Sequence, residues 1–592
     1  MKYQICRLDR QTKTRAHCVL KKGTVVLKNQ ILHEKREFES VRALIEWAGS
    51  ENSEKVAFSF KSDSKKGDVT KITYCELRDD VRALASEMIA MGCTGKHCVL
   101  IGKLSYQWAL VYYATLSIGA TLVPLDRDWG ATELAETALR ADASFLFCDA
   151  DISDKMSVIA EKCAPLSGVV CLSGDCDGVS SLTSLTKSGK ERFELSEKPY
   201  MEAQIDTEAM SLLVFTSGTT GKGKGVMLSQ KNILSDLASV IPYIDFSDKT
   251  VGVLPPHHTY GSSVMLIGHV MIGAEIYISS GIRYVQKELK EQKPGHLVLV
   301  PLYLETFYRK IMASIKEQGK EKLVRRMIKL SNALRKLGID MRKKFFSTIR
   351  AAFGGEVKTI ISGGAPINPE ILAFFEAIGI STLNGYGITE RAPIIAVNRS
   401  RNVVPGSVGN LLDIDSVVID SPSEDGEGEI RVKGPNVMLG YYKDPKASAD
   451  ALTSDGYFKT GDYGKLDKNG VLYITGRKKN LIILSNGKNV YPEEIENDLI
   501  AVPGVLDIVV YEGQSRRGME YNSIVAEIFP DKEYLEKNGI TDARAHLKPY
   551  VDDYNRNAVP YKKIGVLKVR DEEFPKNTLR KIMRFKLDMS ID

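Results

Sequence analysis

The sequence has no apolar run long enough to cross a bilayer as a helix. Its longest apolar stretch, 109–124, holds 16 residues and includes Thr115, Ser117 and Thr121, whereas a spanning helix needs roughly 20 apolar residues. The N-terminal segment MKYQICRLDRQTKTR also lacks the apolar core of a signal peptide. We therefore expect stretch 109–124 to be a buried helix that runs into a strand.

Cysteine is scarce and unevenly placed. The nine cysteines all lie in the first third of the chain, their number is odd, and no two have CxxC spacing. A disulfide framework or a cysteine-based metal site would require a paired pattern. The sequence therefore predicts reduced thiols and a cytoplasmic location.

A large excess of one charge sign is missing as well. The chain carries 81 Lys and Arg residues against 75 Asp and Glu residues, a net charge of +6 over 592 residues. This balance argues against a protein that binds nucleic acid. Hydrophobic residues make up 43% and charged residues 26%, which is typical of a globular protein with several core-bearing units.

Only segment 316–350 departs strongly from this balance. It contains twelve Lys and Arg residues against three acidic ones, and an apolar stripe runs through it at Val324, Met327, Leu330 and Leu334. A basic amphipathic helix can lie on an anionic membrane, which would give peripheral membrane contact. The alternative, which the pattern favours, is a solvated helix that packs on the protein through its stripe.

Strand-like and helix-like segments alternate from about Phe38 onward. Short apolar runs such as Val99–Ile101 predict strands, and Leu77–Met91 has helical spacing. The alternation predicts an α/β fold whose large N-terminal domain, 41–478, has layered sheets and helices and a Gly-rich β-subdomain. Residues 479–592 predict a small C-terminal α/β domain. Residues 1–40 form a polar extension of unknown role.

The stretch SLLVFTSGTTGKGKGV, 211–226, has the composition of a phosphate-binding loop. An apolar run ends in hydroxyls, glycines and lysines, which offer backbone N–H groups, side-chain donors and positive charge to an anion. A flexible turn between two strands is one alternative. A P-loop is another, because Gly218, Gly223 and Lys224 have its spacing. However, Gly225 replaces the Ser or Thr that would hold Mg²⁺.

A different family fits this loop better. TSGTTG followed by KGKGV resembles the phosphate loop of the adenylate-forming, AMP-binding enzymes, which include acyl-CoA synthetases, luciferases and peptide-synthetase adenylation domains. Further motifs that resemble this family follow in its order, so that the resemblance covers roughly 41–587. They are LPPHHTYG at 254–261, SGGAP at 362–366, NGYGITE at 384–390, DGYFKTGD at 455–462, GRKKN at 476–480, SNGKNVYP at 485–492 and PKNTLRK at 575–581.

Three positions depart from the family pattern. Gly223 replaces the usual Pro, which should loosen the phosphate loop, because glycine leaves the backbone unrestrained. Asn480 replaces a common Asp, and we expect no change in function from it. Arg580 replaces the usual Gly, so the turn before Lys581 is expected to differ.

The resemblance implies catalytic roles for a few of these residues. Lys581 would bridge the substrate carboxylate and the α-phosphate of ATP, and Thr389 would contact that phosphate. His258 would flank the acyl carboxylate. Glu390 would bind Mg²⁺, with Thr216 as a second metal-site residue.

The resemblance also implies a set of binding residues. Asp462 and Arg477 would bind ribose or phosphate, Gly487 would line the pantetheine tunnel, and Lys479 would be the hinge of the C-terminal domain. The remaining implied ATP contacts are Thr216, Ser217, Gly218, Thr219, Thr220, Gly221 and Lys224 in the phosphate loop, and Gly363, Gly364, Ala365, Tyr386 and Gly387 around the adenosine.

The implied activity is that of long-chain fatty acyl-CoA synthetases. Such an enzyme uses ATP and Mg²⁺ to convert a fatty acid to acyl-AMP, and its mobile C-terminal domain then presents CoA for thioester formation. Transfer to an acyl carrier protein is the main alternative. A P-loop NTPase and an inactive nucleotide-binding homologue are further alternatives. The joint presence of Glu390, Asp462, Arg477 and Lys581 argues against the inactive homologue.

Overall fold

The computed structural model describes residues 31–61, 68–174, 176, 178–216, 223–484, 489–513, 523–576 and 582–590. Within these ranges, strands and helices alternate along most of the chain. The strands are β1 Val56–Lys61, β2 Val69–Thr73, β3 His97–Ile101, β4 Thr121–Leu125, β5 Phe145–Cys148, β6 Gly168–Cys171, β7 Ser180–Ser181, β8 Met210–Thr216, β9 Lys224–Ser229, β10 Lys249–Gly252, β11 Glu275–Ile278, β12 His296–Leu299, β13 Thr359–Ser362, β14 Ser381–Gly387, β15 Ile394–Val397, β16 Gly409–Leu411, β17 Ser416–Asp420, β18 Gly428–Lys433, β19 Gly440–Tyr441, β20 Phe458–Leu466, β21 Val471–Arg477, β22 Ile482–Ile483, β23 Asn489–Val490, β24 Val505–Gly513, β25 Ser523–Pro530 and β26 Val566–Val569.

The helices lie between these strands and cover the sheets. They are α1 Val41–Glu51, α2 Tyr74–Ala90, α3 Tyr106–Ser117, α4 Ala131–Arg140, α5 Ser153–Lys162, α6 Leu182–Leu195, α7 Lys198–Met201, α8 Gln230–Val240, α9 Gly268–Ile272, α10 Val285–Gln292, α11 Pro301–Glu317, α12 Glu321–Lys336, α13 Arg342–Phe345, α14 Ser347–Arg350, α15 Pro369–Ala377, α16 Pro445–Ala451, α17 Pro492–Leu499, α18 Lys532–Lys537 and α19 Ala543–Asn557. Short 3₁₀ turns include Thr389–Arg391 and Lys478–Asn480, and Tyr260–Ile267 is a π-helix.

Three larger sheets organise the chain before the hinge motif. One has eight strands in the order β19-β9-β8-β4-β3-β5-β6-β7, and one has nine in the order β12-β13-β14-β15-β16-β21-β20-β18-β17. A four-stranded sheet has the order β10-β11-β1-β2. Parallel strands such as β3, β4 and β5 with helices between them confirm the predicted α/β fold.

The predicted β-subdomain after Gly406 does not form a sheet of its own. Its strands β16, β21, β20, β18 and β17 continue the sheet that begins with the parallel strands β12, β13 and β14. The reason is that β14 pairs with β13 in parallel on one side and with β15 antiparallel on the other. The ends of β14, β20 and β21 therefore belong to one continuous sheet.

The described residues after the hinge motif build a smaller unit. Its three-stranded sheet has the order β24-β25-β26, and β22 pairs with β23. Buried side chains from these strands and from α17 and α19 share one apolar cluster that includes Ile495, Val510 and Leu547. Pro492 occupies the first turn of α17 with Glu493 and Glu494 beside it, residue types that favour a helix N-terminus.

Local sequence signals explain several element boundaries. Ser229 caps α8 through a hydrogen bond from the backbone N–H of Asn232, whose side chain bonds back to the N–H of Ser229. Segment 316–350 is not one helix. The turns at Gly319 and Gly338, both with positive φ, end α11 and α12 and separate them from the helices that follow. Among the described helices, none is long and apolar enough to cross a membrane.

Candidate active site

A buried carboxylate, Asp462, is the centre of one cluster of predicted site residues. The hydroxyl of Tyr386 donates a hydrogen bond to Asp462 Oδ2 at 2.5 Å. Arg477 Nε lies 2.9 Å from Asp462 Oδ1. The Asp462 side chain is only 2% exposed, whereas that of Arg477 is 47% exposed. The structure thus brings together three residues that are 76 and 15 positions apart in the chain.

Strand register explains this contact. Asp462 on β20 pairs directly with Arg477 on β21, so their side chains lie on the same face of the sheet. Asp462 raises the pKa of the Arg477 guanidinium, with smaller contributions from Tyr386, Glu493 and Glu390. Burial, followed by the charge of Asp462, raises the pKa of Tyr386 well above its usual value. Tyr386 therefore stays a neutral donor.

A second cluster links the end of the phosphate loop to the predicted metal carboxylate. Tyr441 donates a hydrogen bond from its hydroxyl to Glu390 Oε1 at 2.9 Å. Lys224 Nζ lies 4.6 Å from the centroid of the same tyrosine ring, within the range of a cation–π contact. Lys224 pairs with Thr216 across the β8–β9 hairpin. The ring of Tyr441 therefore connects the loop to Glu390.

Tyr441 is a site residue that sequence reasoning missed. It lies on β19, which pairs with β9, and Met438 just before it donates its N–H to the carbonyl of Glu390 at 2.9 Å. Segment 438–441 therefore contacts both β9 and the turn that carries Glu390. The available signal was the aromatic pair after Gly440 in MLGYY, which has no charge or hydroxyl cluster to mark it.

The strip SGGAP lies against the HHTYG segment. Tyr260 donates from its hydroxyl to the carbonyls of Leu299 and Ile361, at 3.3 and 3.2 Å. A Cβ on Gly363 would lie 3.4 Å from that hydroxyl, and Gly364 has φ +90°. The backbone at Gly364 therefore favours glycine, whereas a side-chain carbon at Gly363 would make ordinary contact with Tyr260. Ala365 follows them and is half-buried.

His258 lies just before the π-helix Tyr260–Ile267, and its carbonyl accepts the N–H groups of Gly261 and Ser262 at 2.9 and 2.8 Å. A Cβ on Gly261 would meet the carbonyl of Pro255 at 2.1 Å, so the motif's final glycine permits this close turn. The rings of His257 and His258 are 4.3 Å apart. Burial lowers the pKa of His257, although Asp126 lies 3.4 Å away.

The NGYGITE motif places its glycine and threonine at a similarly tight turn. A Cβ on Gly387 would lie 2.2 Å from the carbonyl of Pro393, and Thr389 begins the 3₁₀ turn that also contains Glu390. The next residue, Arg391, forms an ion pair with Asp415 at 2.5 Å, and both side chains are 0% exposed. This buried pair anchors the turn that presents Glu390.

The phosphate loop is described only at its two ends. Thr216 donates its hydroxyl to the carbonyl of Lys224 at 3.4 Å, and Arg140 donates to the carbonyl of Gly223 at 2.8 Å. A Cβ on Gly223 would lie 2.3 Å from the carbonyl of Thr216, so this position has little room for a side chain. The predicted loop residues Ser217, Gly218, Thr219, Thr220 and Gly221 lie outside the described residues.

The hinge motif follows the Asp462 cluster directly. Lys479 lies in the 3₁₀ turn Lys478–Asn480, and burial together with the charge of Arg477 lowers its pKa. Asn480 donates to Glu493 Oε1 at 2.5 Å, so Asn at this position ties the turn to the start of α17. Gly487 and Lys581 lie outside the described residues.

The protein donors around Glu390 fit a magnesium site that is completed by phosphate oxygens. In the described part of the chain, no cluster of three or more His, Cys, Asp or Glu residues could hold a metal by itself. Mg²⁺ commonly binds one or two carboxylates together with substrate phosphates and water. Glu390 is a carboxylate of this kind and accepts a hydrogen bond from Tyr441, whereas the hydroxyl of Thr216, the second predicted metal-site residue, donates to the carbonyl of Lys224.

The family model for AMP-binding enzymes matches residues 45–442 of this chain, and the chain belongs to that family. The match includes Thr216, His258, the glycine strip and Glu390, and ends at the residue after Tyr441. The AMP-binding assignment predicted from the motifs is therefore confirmed.

Curated relatives extend the match beyond this region. The chain is 28% identical to the long-chain-fatty-acid–CoA ligase FadD15 of Mycobacterium bovis, over 74% of this chain and 75% of the relative. It is 29% identical to long-chain-fatty-acid–CoA ligase 5 of Rattus norvegicus, over 78% and 71%. It is 27% identical to the chloroplastic long-chain-fatty-acid–[acyl-carrier-protein] ligase AEE15 of Arabidopsis thaliana, over 81% and 75%.

Solved structures share the overall fold. ATP-bound MatB from Rhodopseudomonas palustris aligns with a TM-score of 0.71 at 24% identity, over 92% of this chain and 97% of that one. The anthranilate CoA ligase AuaEII in complex with anthranoyl-AMP aligns with a TM-score of 0.74 at 18% identity, over 93% and 97%. At these identities the likeness establishes the fold alone.

Proposed function

We propose that this protein is an ATP-dependent acid–CoA ligase whose substrate is a medium- or long-chain fatty acid. It would convert the acid and ATP to acyl-AMP and pyrophosphate, and then transfer the acyl group to CoA with release of AMP. The observation that carries the proposal is the contact of buried Asp462 with Tyr386 and Arg477, in a chain that belongs to the AMP-binding family.

The chemistry of the Asp462 cluster suits a nucleoside. An ionised carboxylate accepts hydrogen bonds from both hydroxyls of a ribose, and Arg477 beside it adds a donor and a positive charge. Tyr386 offers a ring next to the same carboxylate, and the Gly363–Gly364 backbone offers a surface that a flat base can approach closely. These groups would hold the adenosine of ATP and leave its phosphates toward Glu390 and Lys224.

In the first step, an oxygen of the substrate carboxylate attacks the α-phosphorus, and the bond to pyrophosphate breaks. Negative charge develops at the phosphorus, so fixed positive groups lower the barrier. Mg²⁺ would neutralise phosphate oxygens when bound at Glu390. Lys224 would attract the departing pyrophosphate, and Thr389 would donate a hydrogen bond to the α-phosphate. Lys581 would bridge the substrate carboxylate and the α-phosphate oxygens.

In the second step, the thiolate of CoA attacks the acyl carbon, and the bond to AMP breaks. We propose that residues 479–592 rotate about Lys479 between the two steps, so that Gly487 replaces Lys581 at the site. Described contacts across this boundary include the Lys537–Glu317 ion pair, whose side chains are both 61% exposed. An exposed ion pair contributes little free energy, so this pair would not oppose the rotation, whereas the contact between the Tyr463 and Tyr491 rings would have to separate.

Transfer to an acyl carrier protein is a second candidate, because the plant relative at 27% identity bears that name. AMP release should be measured with acids from two to eighteen carbons, each with CoA and with a carrier protein. We expect release to be greatest with long-chain acids and CoA. Greater release with the carrier protein would favour the second candidate. ATP hydrolysis without any acid would contradict both.

Lys581→Ala provides the sharpest test of the catalytic proposal. We expect acyl-AMP formation, measured by pyrophosphate exchange, to fall at least a thousandfold, because the bridging charge is lost. Thioester formation from supplied acyl-AMP should remain close to that of the unchanged protein, because Lys581 would not face the site in that step. Pyrophosphate exchange that survives the substitution would refute the assignment of Lys581.

A further inference from the structure

Helix α12 leaves a row of leucines uncovered on the protein surface. Leu323, Leu330 and Leu337 are 52%, 53% and 76% exposed. They are seven residues apart, so they lie close to one line along the helix and the turn that ends it. Ile339, 48% exposed, extends the row beyond the helix. A scattered exposed leucine is ordinary on a protein surface, but an aligned row is not.

Cationic side chains form a band beside this row. Among the described residues, none of the five lies within 4 Å of a carboxylate, in contrast to Arg335, which pairs with Glu376 at 3.3 Å. From the helical repeat, the band begins about 60° around the helix from the leucines. Glu321 is the one acidic residue of α12. The band consists of Lys322, Arg325, Arg326, Lys329 and Lys336, all exposed.

The other side of α12 fixes the helix to the protein. Val324, Met327 and Ile328 are partly buried against an apolar cluster that includes Leu304 and Phe375. Ser331 on that side is fully buried. The core contact therefore uses different residues from the exposed row. Because the helix is held on one side, the leucines and the cations point outward together.

We propose that α12 is a docking surface for an anionic phospholipid bilayer. A helix that lies at a bilayer surface inserts its apolar residues at the acyl boundary and holds its lysines and arginines at the phosphates. Leu323, Leu330 and Leu337 supply the first part and the cationic band supplies the second. An acidic carrier protein would match the cations, but it would leave the aligned leucines unexplained. We therefore favour the bilayer.

This proposal does not depend on the catalytic activity. If the protein acts on long-chain acids as proposed, the surface would hold it at the phase in which those acids dissolve. Binding to vesicles is measured without ATP, acid or CoA, so a failure of either proposal can be recognised separately.

Sedimentation of the full-length protein with vesicles tests the surface. We expect the unchanged protein to bind vesicles of phosphatidylcholine that contain one quarter phosphatidylserine, and to bind pure phosphatidylcholine vesicles far more weakly. Binding should weaken at high salt, because the cations contribute by charge. An apolar variant and a charge variant should each lower the partition coefficient roughly tenfold or more.

Control variants carry the same kinds of substitution, at two positions each, on other helices. Leu139 and Leu195 are 50% and 87% exposed, and Lys187 and Lys190 are exposed on α6. The apolar variant combines Leu323→Ser, Leu330→Ser and Leu337→Ser, with Leu139→Ser and Leu195→Ser as its control. The charge variant combines Lys322→Gln, Arg326→Gln and Lys329→Gln, with Lys187→Gln and Lys190→Gln as its control.

A fluorescence measurement separates insertion from attraction by charge alone. In Leu330→Trp, the new indole should shift to shorter wavelength with anionic vesicles, and lipids brominated on their acyl chains should quench it. Equal binding to neutral and anionic vesicles, equal loss in the variants and their controls, or an unquenched indole would each overturn the proposal. So would binding of an acidic carrier protein through the band, without binding to vesicles.

Discussion

Two Arg–Asp pairs near the site have the same chemistry but opposite surroundings. Arg477 lies 2.9 Å from Asp462, and its side chain is 47% exposed. Arg391 lies 2.5 Å from Asp415, and neither side chain is exposed. The first pair is open to solvent on its Arg477 side, at the end of β21, whereas the second follows directly from the turn that carries Glu390. Solvent access therefore distinguishes an ion pair that a ligand can reach from one that only stabilises the fold.

The enclosed pair belongs to a larger buried network. Asp236 is near it, accepts a hydrogen bond from the Asn436 side chain at 2.8 Å and accepts the N–H of Ile394 at 3.3 Å. Burial raises the pKa of Asp236 well above its usual value, and it raises that of Asp415 to about 6. Arg391 is the cation of this network, and its charge partly offsets the effect of burial on the pKa of both carboxylates.

The largest effect is expected from Arg391→Met, which breaks the enclosed pair. Removal of one partner leaves Asp415 and Asp236 buried without a cation, which should cost about 3–5 kcal/mol of unfolding free energy. Urea denaturation followed by circular dichroism measures this loss. The matched variant Arg477→Met should cost less, because water reaches the arginine side of that pair and Asp462 keeps the hydrogen bond from Tyr386. Similar losses in both variants would mean that the two pairs do not differ as proposed.

The converse effect is expected from Asp462→Asn, which breaks the open pair. The amide keeps the size of the side chain but loses the charge that faces Arg477 and a bound ribose. We expect the rate of acyl-AMP formation at low ATP concentration to fall about a hundredfold, with the urea midpoint nearly unchanged. Asp455→Asn, an exposed position in the same motif, is the control and should leave the rate within about twofold. A rate that equals the control would exclude a role in ATP binding.

The same contrast separates what the sequence predicted from what it did not. The order of motifs along the chain predicted Tyr386, Asp462 and Arg477 as site residues, and the structure places these three in contact. The contact between Asp236 and Asn436 spans 200 positions, so no local pattern announces it. Likewise Arg350, one of the twelve cationic residues of segment 316–350, is buried and donates to the carbonyls of Gly379 and Val357.

Tyr441 escaped prediction for a related reason. Its importance comes from where β19 pairs, on the edge strand β9, and not from its own chemistry. Sequence patterns report which residues can hold a phosphate or a metal, whereas the partners that position them depend on sheet order. The nine-stranded sheet could not be predicted either, because its antiparallel continuation after β14 is fixed by long-range pairing.

A third buried pair extends the comparison, because it carries no opposite charge. His269 Nε2 and His296 Nε2 are 2.9 Å apart. Burial lowers the pKa of His269 to about 4, and burial together with the neighbouring His269 lowers the pKa of His296 well below its usual value. At these two histidines the unfolded chain takes up protons below about pH 6.5 while the folded chain does not, so their contribution to stability should be lost as the pH drops from 6.5 toward 4. The raised pKa values of Asp236 and Asp415 act in the opposite direction, so the contribution is measured as the difference between the unchanged protein and a histidine variant.

Each histidine should contribute up to about 1.4 kcal/mol per pH unit to the slope of the unfolding free energy against pH. Urea midpoints between pH 7 and 5 measure this slope. His269→Gln should remove about half of the contribution that the two histidines make to this slope. One titrating group is lost, and the buried hydrogen bond to His296 can still form. His33→Gln, at a described histidine away from the pair, should leave the slope unchanged. A variant at His269 with the full slope would assign the pH dependence to other groups.

The smallest effect is expected from Tyr441→Phe, which tests how the open side of the site is held together. Phenylalanine keeps the ring beneath Lys224 but removes the hydroxyl that donates to Glu390 at 2.9 Å. The loss of a hydrogen bond to a charged group should weaken apparent Mg²⁺ affinity about three- to tenfold, because Glu390 is then less firmly oriented. Titration of acyl-AMP formation with Mg²⁺ measures this change.

Tyr441→Ala also removes the cation–π partner of Lys224, so it should additionally raise the KM for ATP. If the Phe and Ala variants behave alike, the hydroxyl and not the ring connects the loop to the metal carboxylate.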